Sequence, residues 1–391
     1  MGSVDALGRL EQLRAGAAER SPDVRTLARF ASTAQCRVAN LGFAARVDFD
    51  KLLLGTRFAA PFGQSPFAFR RGLVFEERLR ADGHQSLFAA LGEALGQNVV
   101  SPRPVNLRER IAGGKRGMAA RATATEEVVA DVLSGRRGAP NLLDGAVLTR
   151  EVCGVPAYFE ADAVLARVGE PLHAGEIKSF PTVDGQADAD KLGAAVAQVA
   201  IYVLLLRELA ARLGRDADAI SNEALIITAK NTGLQPAVIR KPVAREVQRA
   251  ARLLAAVPNA PELAASLSSR TPTFGSVSDP SAPAEARIER AETLLERVGT
   301  HYQPECLAAC GLSRLCRQRA HRSGSPDRMG ASFTRLVPGV PSLDRLGELA
   351  AGAPPKASEA SVAEQVALAA HHLDELVPVP ALVRNRRRVR Q

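Results

Sequence analysis

Two acidic residues and a lysine stand at matching positions of a predicted β-hairpin. The apolar segments on either side of Gly169 predict two strands that turn at this residue. In that register Asp162 lies opposite Glu176. Lys178 follows Glu176 by two residues, so both side chains share one face of the sheet. The hairpin is therefore expected to bring two carboxylates and one ammonium group to the same spot.

Such a group of charges suits a hard divalent cation. Carboxylate oxygens bind Mg²⁺, and the backbone carbonyl of Ile177 adds a further oxygen beside Asp162 and Glu176. Phosphate is the natural substrate group for such an ion. The alternative is a solvated strand face on which Glu176 and Lys178 form an ordinary ion pair. The hairpin residues alone leave both interpretations open.

A long apolar run at 192–206 predicts a buried helix after the hairpin. The run is shorter than the roughly 18 to 20 residues that cross a bilayer, so a core helix rather than a membrane span is expected. Gln198 and Tyr202 are four residues apart and share one helical face. A buried amide and phenol need hydrogen-bond partners. Either the charged hairpin or neighbouring backbone groups can supply them.

The order of Asp162, Glu176-Ile177-Lys178, Gln198 and Tyr202 resembles the RecB-type branch of the PD-(D/E)XK nuclease superfamily, over about 40 residues. The resemblance implies that the Asp and Glu hold Mg²⁺ or Mn²⁺. It also implies that the Lys orients the attacking water or offsets charge in the transition state. The Gln and Tyr of the following helix would contact DNA beside the scissile phosphate.

An upstream helix of this family carries a metal-binding or metal-orienting residue, often His in a Gly-x-x-x-His pattern. This chain has Gly72-Leu-Val-Phe-Glu76, with Glu in place of His. The resemblance therefore implies Glu76 as a third metal ligand. The alternative is a surface Glu76 that pairs with Arg80 one helical turn later.

Three cysteines, Cys306, Cys310 and Cys316, fall within eleven residues. Spacing this close predicts a metal centre, which needs a fourth ligand. The candidates are Cys36, Cys153, His301 and His321. Cys153 lies in a predicted strand and is interpreted as a small buried apolar side chain. Zinc bound by three cysteines and one histidine stays open as an alternative to an iron-sulfur cluster.

One cysteine near the N-terminus and three near the C-terminus, on either side of the nuclease motifs, resemble the iron-sulfur subset of RecB-type nucleases. That subset includes the CRISPR-associated exonucleases and the AddB-type recombination subunits. The resemblance implies a [4Fe-4S] cluster held by Cys36, Cys306, Cys310 and Cys316. Its binding free energy would add to the folding free energy, so a structural role is expected.

The resemblance and the strand pattern predict an α/β fold with a restriction-endonuclease-like core, a central mixed sheet and flanking helices. Helical N- and C-terminal segments are expected to be joined by the metal cluster. The predicted core contains strands at 142–152, 157–168, 172–180, 224–228 and 237–240, and helices at 192–213 and 243–256. The expected units are a helical N-terminal segment (1–140), the nuclease core (141–256), a loop or linker (257–285), the cysteine segment (286–325), and a C-terminal helix with a basic tail (326–391).

Composition excludes disorder or a fibrous fold for the whole chain of 391 residues, because 46% of them are hydrophobic and 24% are charged. The formal net charge of +9 favours an anionic partner such as nucleic acid. Five arginines at 384–390 predict either an arm for the DNA backbone or a solubilising tail. Residues 1–14 mix charges and lack an apolar stretch, which predicts a cytoplasmic protein without a secretory signal.

The predicted function is metal-dependent hydrolysis of phosphodiester bonds in DNA, with exonuclease action on single-stranded ends. A helicase or a CRISPR-type protein is the expected protein partner, since no phosphate-loop motif is visible in the chain. Two alternatives belong to other classes. One is a catalytically silent nucleic-acid-binding or scaffold subunit, and the other is a zinc-stabilised adaptor without a nucleic-acid role.

Overall fold

The computed structural model describes residues 3–20, 27, 35–60, 66–96, 101–111, 117–165, 171–231, 233–255, 257, 259–308 and 310–376. The arginine run at 384–390 lies outside these residues. The elements before the main strands are α1 (Ser3–Arg14), α2 (Arg37–Ala44), α3 (Pro66–Ala81), α4 (Gln85–Leu95), β1 (Pro104–Asn106), α5 (Leu107–Arg110) and α6 (Gly117–Leu133). The short strand β1 interrupts a region for which the sequence predicts only helices.

The central part of the chain forms the expected mixed sheet. Its elements are β2 (Leu142–Val152), β3 (Val155–Leu165), β4 (Leu172–Thr182), α7 (Ala189–Arg212), β5 (Ile220–Lys230), β6 (Pro236–Pro242) and α8 (Ala244–Ala255). In the described part of the chain the sheet has six strands in the order of the sequence. The β1–β2 and β4–β5 pairs are parallel, and the other pairs are antiparallel. Helix α7 makes the crossover that the parallel β4–β5 pair requires.

Successive residues of the strands enter two separate apolar cores, as the alternation of side chains along a strand dictates. Leu143, Val164, Ala174 and Ile226 belong to the larger core, which includes α7. The neighbouring residues Leu142, Ala163, Leu225 and Ile227 belong to a second core, which they form with α3 and α4. The sheet is thus covered by helices on both faces.

Helix α7 is the predicted core helix. Its N-terminus is capped by Asp188, whose side chain accepts a hydrogen bond from the Lys191 amide at 3.0 Å. Helix α7 is long and apolar enough to cross a membrane, but 67% of its most apolar 18-residue stretch is buried inside the protein. It packs against β4 and β5, so its apolar surface is accounted for by the larger core.

The segment at 257–285 differs from the loop or linker expected from its composition. It contains two short helices, α9 (Ala260–Ala265) and α10 (Phe274–Ser278). Helix α9 packs on α1 and α2, and Leu263 and Phe274 are buried in the larger core. A few large apolar side chains are enough to fix this segment, although its Pro and Ser content predicts irregular structure.

Five further helices complete the C-terminal part of the described chain: α11 (Ala284–Val298), α12 (Ser313–Arg322), α13 (Ala331–Leu336), α14 (Leu343–Ala350) and α15 (Ala360–Leu376). Several contacts join this part to the N-terminal segment, among them the following two. The buried guanidinium of Arg287 donates hydrogen bonds to the carbonyls of Leu52 and Leu54, at 2.8 and 2.9 Å. Gly311 passes so close to Phe49 that an added Cβ would lie 1.9 Å from its carbonyl oxygen.

Candidate functional site

The two predicted metal-binding acids lie where strands β3 and β4 separate. The β3–β4 ladder has the register predicted from the sequence and consists of the pairs Ala163–Gly175, Val164–Ala174 and Leu165–His173. Both strands continue beyond it, β3 beside β2 and β4 beside β5. The sheet therefore forks immediately before Asp162 and Glu176. We call Asp162, Glu176 and Lys178 the fork.

Glu176 is the most deeply buried member of the fork, with 2% of its surface exposed. Its Oε1 atom forms an ion pair with the Lys178 ammonium group. Its Oε2 atom is buried and has no hydrogen-bond partner among the described residues. The pKa of Glu176 is raised to about 7, first by burial and then by the Asp162 carboxylate, while Lys178 and the Tyr202 hydroxyl oppose the rise. Two carboxylates thus share a site in which Lys178 supplies one compensating positive charge.

Helix α7 brings both of its predicted site residues into the interior. Gln198 and Tyr202 are 7% and 3% exposed. The Tyr202 hydroxyl donates a hydrogen bond to the Glu160 carbonyl at 3.3 Å and also lies near Glu176. The hydroxyl therefore connects α7 with both strands that form the fork. The sequence left two kinds of partner open for the Tyr202 hydroxyl, a backbone group and the charged hairpin. In the structure the hydroxyl lies close to both.

Glu76 reaches a small pocket on the α3 side of the sheet. The lining residues include Glu76, Arg80, Asp162 and Ile177. The sequence left two interpretations of Glu76 open, a metal ligand and a surface residue paired with Arg80, and the structure has one feature of each. Arg80 Nη2 donates to Glu76 Oε2 at 3.2 Å, yet the side chain of Glu76 is only 32% exposed. Glu76 therefore lies beside Asp162 in this pocket while an ion pair holds its carboxylate.

Several charged residues near the pocket escaped prediction from the sequence. Asp144 is buried and accepts hydrogen bonds from Arg80 at 2.9 Å and Arg108 at 2.7 Å. Arg108 also pairs with Glu160. The side chain of Arg108 lies over Gly145, where an added Cβ would approach Arg108 Cγ to 2.6 Å and where the positive φ of 68° also favours glycine. One signal was available, because Asp144 interrupts an apolar strand.

His84 is a further residue of the same pocket that the sequence did not single out. It precedes α4 in a left-handed conformation, with φ of 67°. Its Nδ1 atom is buried and has no hydrogen-bond partner within the described chain. Burial lowers the pKa of His84, against the opposing effect of the Asp144 carboxylate. The imidazole is therefore expected to be neutral near pH 7.

A bulge follows the Glu176-Ile177-Lys178 sequence on β4. The pairs Ile177–Ile227 and Pro181–Ala229 leave three residues of β4 opposite a single residue of β5. The bulge turns the carbonyl of Ser179 toward α3, where Arg71 Nε donates to it at 2.7 Å. This contact fixes α3, and hence Glu76, relative to the strand that carries Glu176 and Lys178.

The four predicted cluster ligands come from both ends of the chain and lie within electrostatic range of one another. Cys36 occupies the N-cap position of α2, and Cys316 lies in α12. Cys306 is buried, and the Cys310 amide donates to its carbonyl at 2.9 Å. We call these four residues the thiol set.

The thiol set is electrostatically coupled. The pKa of Cys310 is raised to about 12 and that of Cys316 is raised well above its usual range, in each case first by burial. Neighbouring members of the set add to the rise at both positions, and Cys36 does so at Cys306. Cys153 differs, because burial is the cause of its raised pKa of about 12. It lies in the β2–β3 turn, as a small buried side chain.

All five cysteines are free thiols. Among the described residues, no group of three or more His, Cys, Asp or Glu side chains is arranged to hold a metal ion. His301 and His321, the alternative fourth ligands, are exposed. The structure therefore brings the thiols within electrostatic range of one another without a closed set of ligands.

No family model and no curated protein matches this chain. Among solved structures, a provisionally assigned exonuclease from Eubacterium rectale is 14% identical, with a TM-score of 0.28 over 60% of this chain and 77% of its own. A protein named SSO0001 is 16% identical, with a TM-score of 0.20 over 44% of this chain and 84% of its own. Similarities this low carry no conclusion about the chain. The conclusion here is a mixed α/β protein with a six-stranded sheet in its described part.

Proposed function

We propose that this protein is a divalent-metal-dependent nuclease whose active site is the fork. The observation that carries the proposal is the buried Glu176 beside the half-buried Asp162 at the separation of β3 and β4, with Lys178 paired to the Glu176 carboxylate. A pair of acids in a desolvated site is costly unless a cation or a proton compensates the charge. The Glu176 Oε2 atom, buried and unpaired in the described structure, supplies one coordination position.

The residues of the fork fit Mg²⁺ or Mn²⁺. Mg²⁺ keeps several water ligands and takes one or two carboxylates together with phosphate oxygens. Asp162, Glu176 and the carbonyl of Ile177 would hold the ion, with Glu76 as a further ligand once released from Arg80. Two strand carboxylates can hold such an ion without a third protein side chain, because water and phosphate oxygens complete its ligands. Bound there, the ion would activate water and stabilise the leaving oxygen.

The surrounding side chains have separate roles in the proposed reaction. Lys178 pairs with one oxygen of Glu176, and its ammonium group would be placed to donate to the attacking water or to the phosphate. Tyr202 positions Glu176 from α7 and anchors β3 through the Glu160 carbonyl. Gln198, one turn earlier on α7, is assigned to positioning the substrate strand. DNA with a single-stranded end is the proposed substrate.

We also propose that the thiol set holds a [4Fe-4S] cluster. Clusters of this type are bound by cysteine thiolates, and the four thiols come from α2 and from the segment that ends in α12. The raised pKa values of Cys306, Cys310 and Cys316 mean that these three thiols are protonated near pH 7 without a metal, and cluster binding would release those protons. Zinc with a histidine ligand is the alternative that metal and sulfide analysis distinguishes.

The proposal places the protein in the cytoplasm, where thiols stay reduced. A helicase or CRISPR-type protein would supply it with DNA ends. The test is cleavage of end-labelled single-stranded DNA with Mn²⁺ and with EDTA, by the wild type and by Asp162→Asn and Lys178→Met. We expect Mn²⁺-dependent cleavage that both substitutions abolish.

Glu151→Gln is the matched control for this assay, because Glu151 is an exposed acid on β2 of the same sheet. It should cleave like the wild type. Wild-type protein that binds DNA but never cleaves it would favour the silent scaffold. Unchanged cleavage by Asp162→Asn and Lys178→Met would remove the fork as the active site.

A further inference from the structure

The N-terminal half of α3 carries an exposed apolar surface. Phe67 and Phe69 are 86% and 58% exposed, and Leu73 and Val74 are 46% and 41% exposed. These four are among eleven large apolar side chains that the described residues expose, and they lie within eight positions of one another. Clustered exposure of this kind marks an interaction site more often than isolated exposed residues do. We call Phe67, Phe69, Arg70, Leu73 and Val74 the α3 platform.

The platform is continuous with the pocket beside the fork. Phe69, Leu73, Glu76 and Arg80 are spaced by four, three and four residues and therefore follow one side of the helix. Glu76 and Arg80 line the pocket with Asp162. At a rise of 1.5 Å per residue, Phe69 lies about 10 Å along the helix from Glu76. About three stacked nucleotides, at 3.4 Å each, cover that distance.

The charges around the platform suit an anionic partner. Arg70, Arg71 and Arg78 are exposed on the same helix, beside a single exposed acid, Glu77. Arg71 is anchored to the Ser179 carbonyl, one residue after Lys178. This anchor joins the helix of the platform to the strand that carries Lys178. Aromatic side chains along a basic path are the elements with which proteins hold unpaired bases.

We propose that the α3 platform binds a single DNA strand that crosses the exposed side of the helix, stacks its bases on Phe67 and Phe69 at the two flanks of that side, and then leads from Phe69 into the fork. The proposal rests on the nuclease function proposed above and adds the path of the substrate. Leu73 and Val74 cover the faces of the bases between the two rings, and Arg70 contacts the backbone. Stacking tolerates any base, so this surface holds the strand without reading its sequence.

The test is equilibrium binding of the full-length chain in EDTA, where no cleavage occurs. The ligands are a fluorescent oligothymidylate of about 12 nucleotides, within the site sizes of such surfaces, and an abasic strand with the same number of phosphates. Phe67→Ala and Phe69→Ala should each weaken oligothymidylate binding by about 5- to 150-fold and leave abasic binding unchanged. Phe69→Tyr should retain the wild-type affinity, because the ring is kept.

Leu336→Ala and Leu368→Ala are matched controls, since both residues are exposed large aliphatic side chains far along the sequence from α3. Neither should change binding. The proposal is overturned if the Phe67→Ala/Phe69→Ala double variant binds oligothymidylate like the wild type, or loses affinity equally for the abasic strand. Tighter binding of a duplex than of the single strand would also overturn it. A last contradicting result is a wild-type protein that self-associates, together with a double variant that does not self-associate but binds the strand with unchanged affinity. That result would assign the platform to contact with a second copy of the chain.

These affinities are independent of the proposed chemistry. If Glu176→Gln cleaves DNA like the wild type, the fork is not the nuclease site. The base-dependent affinity of the α3 platform would still stand. Loss of base dependence with normal cleavage would remove the platform and leave the nuclease proposal intact.

Discussion

The fork and the thiol set both gather chemically reactive side chains, but the chain assembles them in different ways. Asp162 and Glu176 are close in sequence, and the register of two adjacent strands brings them together. Cys36 and Cys306 are 270 residues apart by their numbering and meet only because the N- and C-terminal helical segments pack on each other. The fork thus depends on strand pairing, whereas the thiol set depends on completed tertiary structure.

The two groups also differ in what their burial costs. At the fork, a cation or a proton must compensate two carboxylates, and the pKa of Glu176 is raised to about 7. In the thiol set, burial favours the neutral form of Cys306, Cys310 and Cys316, so the apoprotein holds these thiols without unpaired charge. We infer that the fork is organised for chemistry and the thiol set for stability. Substitutions in the two groups should therefore change different measured quantities.

The largest expected effect on stability comes from the thiol set. Cys36→Ser and Cys316→Ser should each lose the bound iron and lower the free energy of unfolding by several kcal/mol, because binding of a structural metal adds directly to folding free energy. Iron and sulfide content and thermal melting of anaerobically purified protein measure the two quantities. Cys153→Ser is the control and should retain the iron. Full iron content in Cys36→Ser would exclude the joining of the two chain ends by a cluster.

A smaller effect on stability is expected from protonation of Glu176. Its folded-state pKa of about 7 lies above its ordinary value of 4.5, so the folded protein retains a proton that the unfolded chain releases. The free energy of unfolding should therefore decrease as pH rises from about 4.5 to 7 in EDTA, by on the order of 3 kcal/mol from this group. Glu176→Gln should remove this contribution, and Mn²⁺ should offset it at pH 8.

Thermal melting of wild type and Glu176→Gln at pH 5 and pH 8, with and without Mn²⁺, measures this effect. Glu151→Gln serves as the exposed control on the same sheet. Identical pH dependence in the wild type and Glu176→Gln would show that the buried carboxylate does not retain its proton.

The smallest effect is expected at Tyr202, which contacts the fork without being a proposed metal ligand. Tyr202→Phe removes the hydroxyl that donates to the Glu160 carbonyl and lowers the pKa of Glu176. We expect about a tenfold lower cleavage rate, in the range usual for residues that orient a ligand, with iron content unchanged. A cleavage rate equal to that of the wild type would limit Tyr202 to packing.

Much of the core was predictable because local rules determine it. Strand β2 has the predicted bounds, and the β3–β4 pairs have the register that the sequence predicts, although Gly169, the predicted turn residue, lies outside the described residues. The contacts of Asp144 were not predictable, because they depend on Arg80 and Arg108 from helices elsewhere in the chain. The helices at 257–285 were missed for a related reason. Their apolar residues are few, and their burial depends on α1 and α2.

The most direct test of the central claim is single-turnover cleavage of prebound, end-labelled single-stranded DNA by Glu176→Gln in Mn²⁺. We predict a rate at least about a hundredfold below the wild type, since even a residue that supports a metal ligand typically costs ten- to a hundredfold. DNA affinity and iron content should stay at wild-type levels in the same preparation. Cleavage at the wild-type rate would contradict the claim that the fork carries out the chemistry.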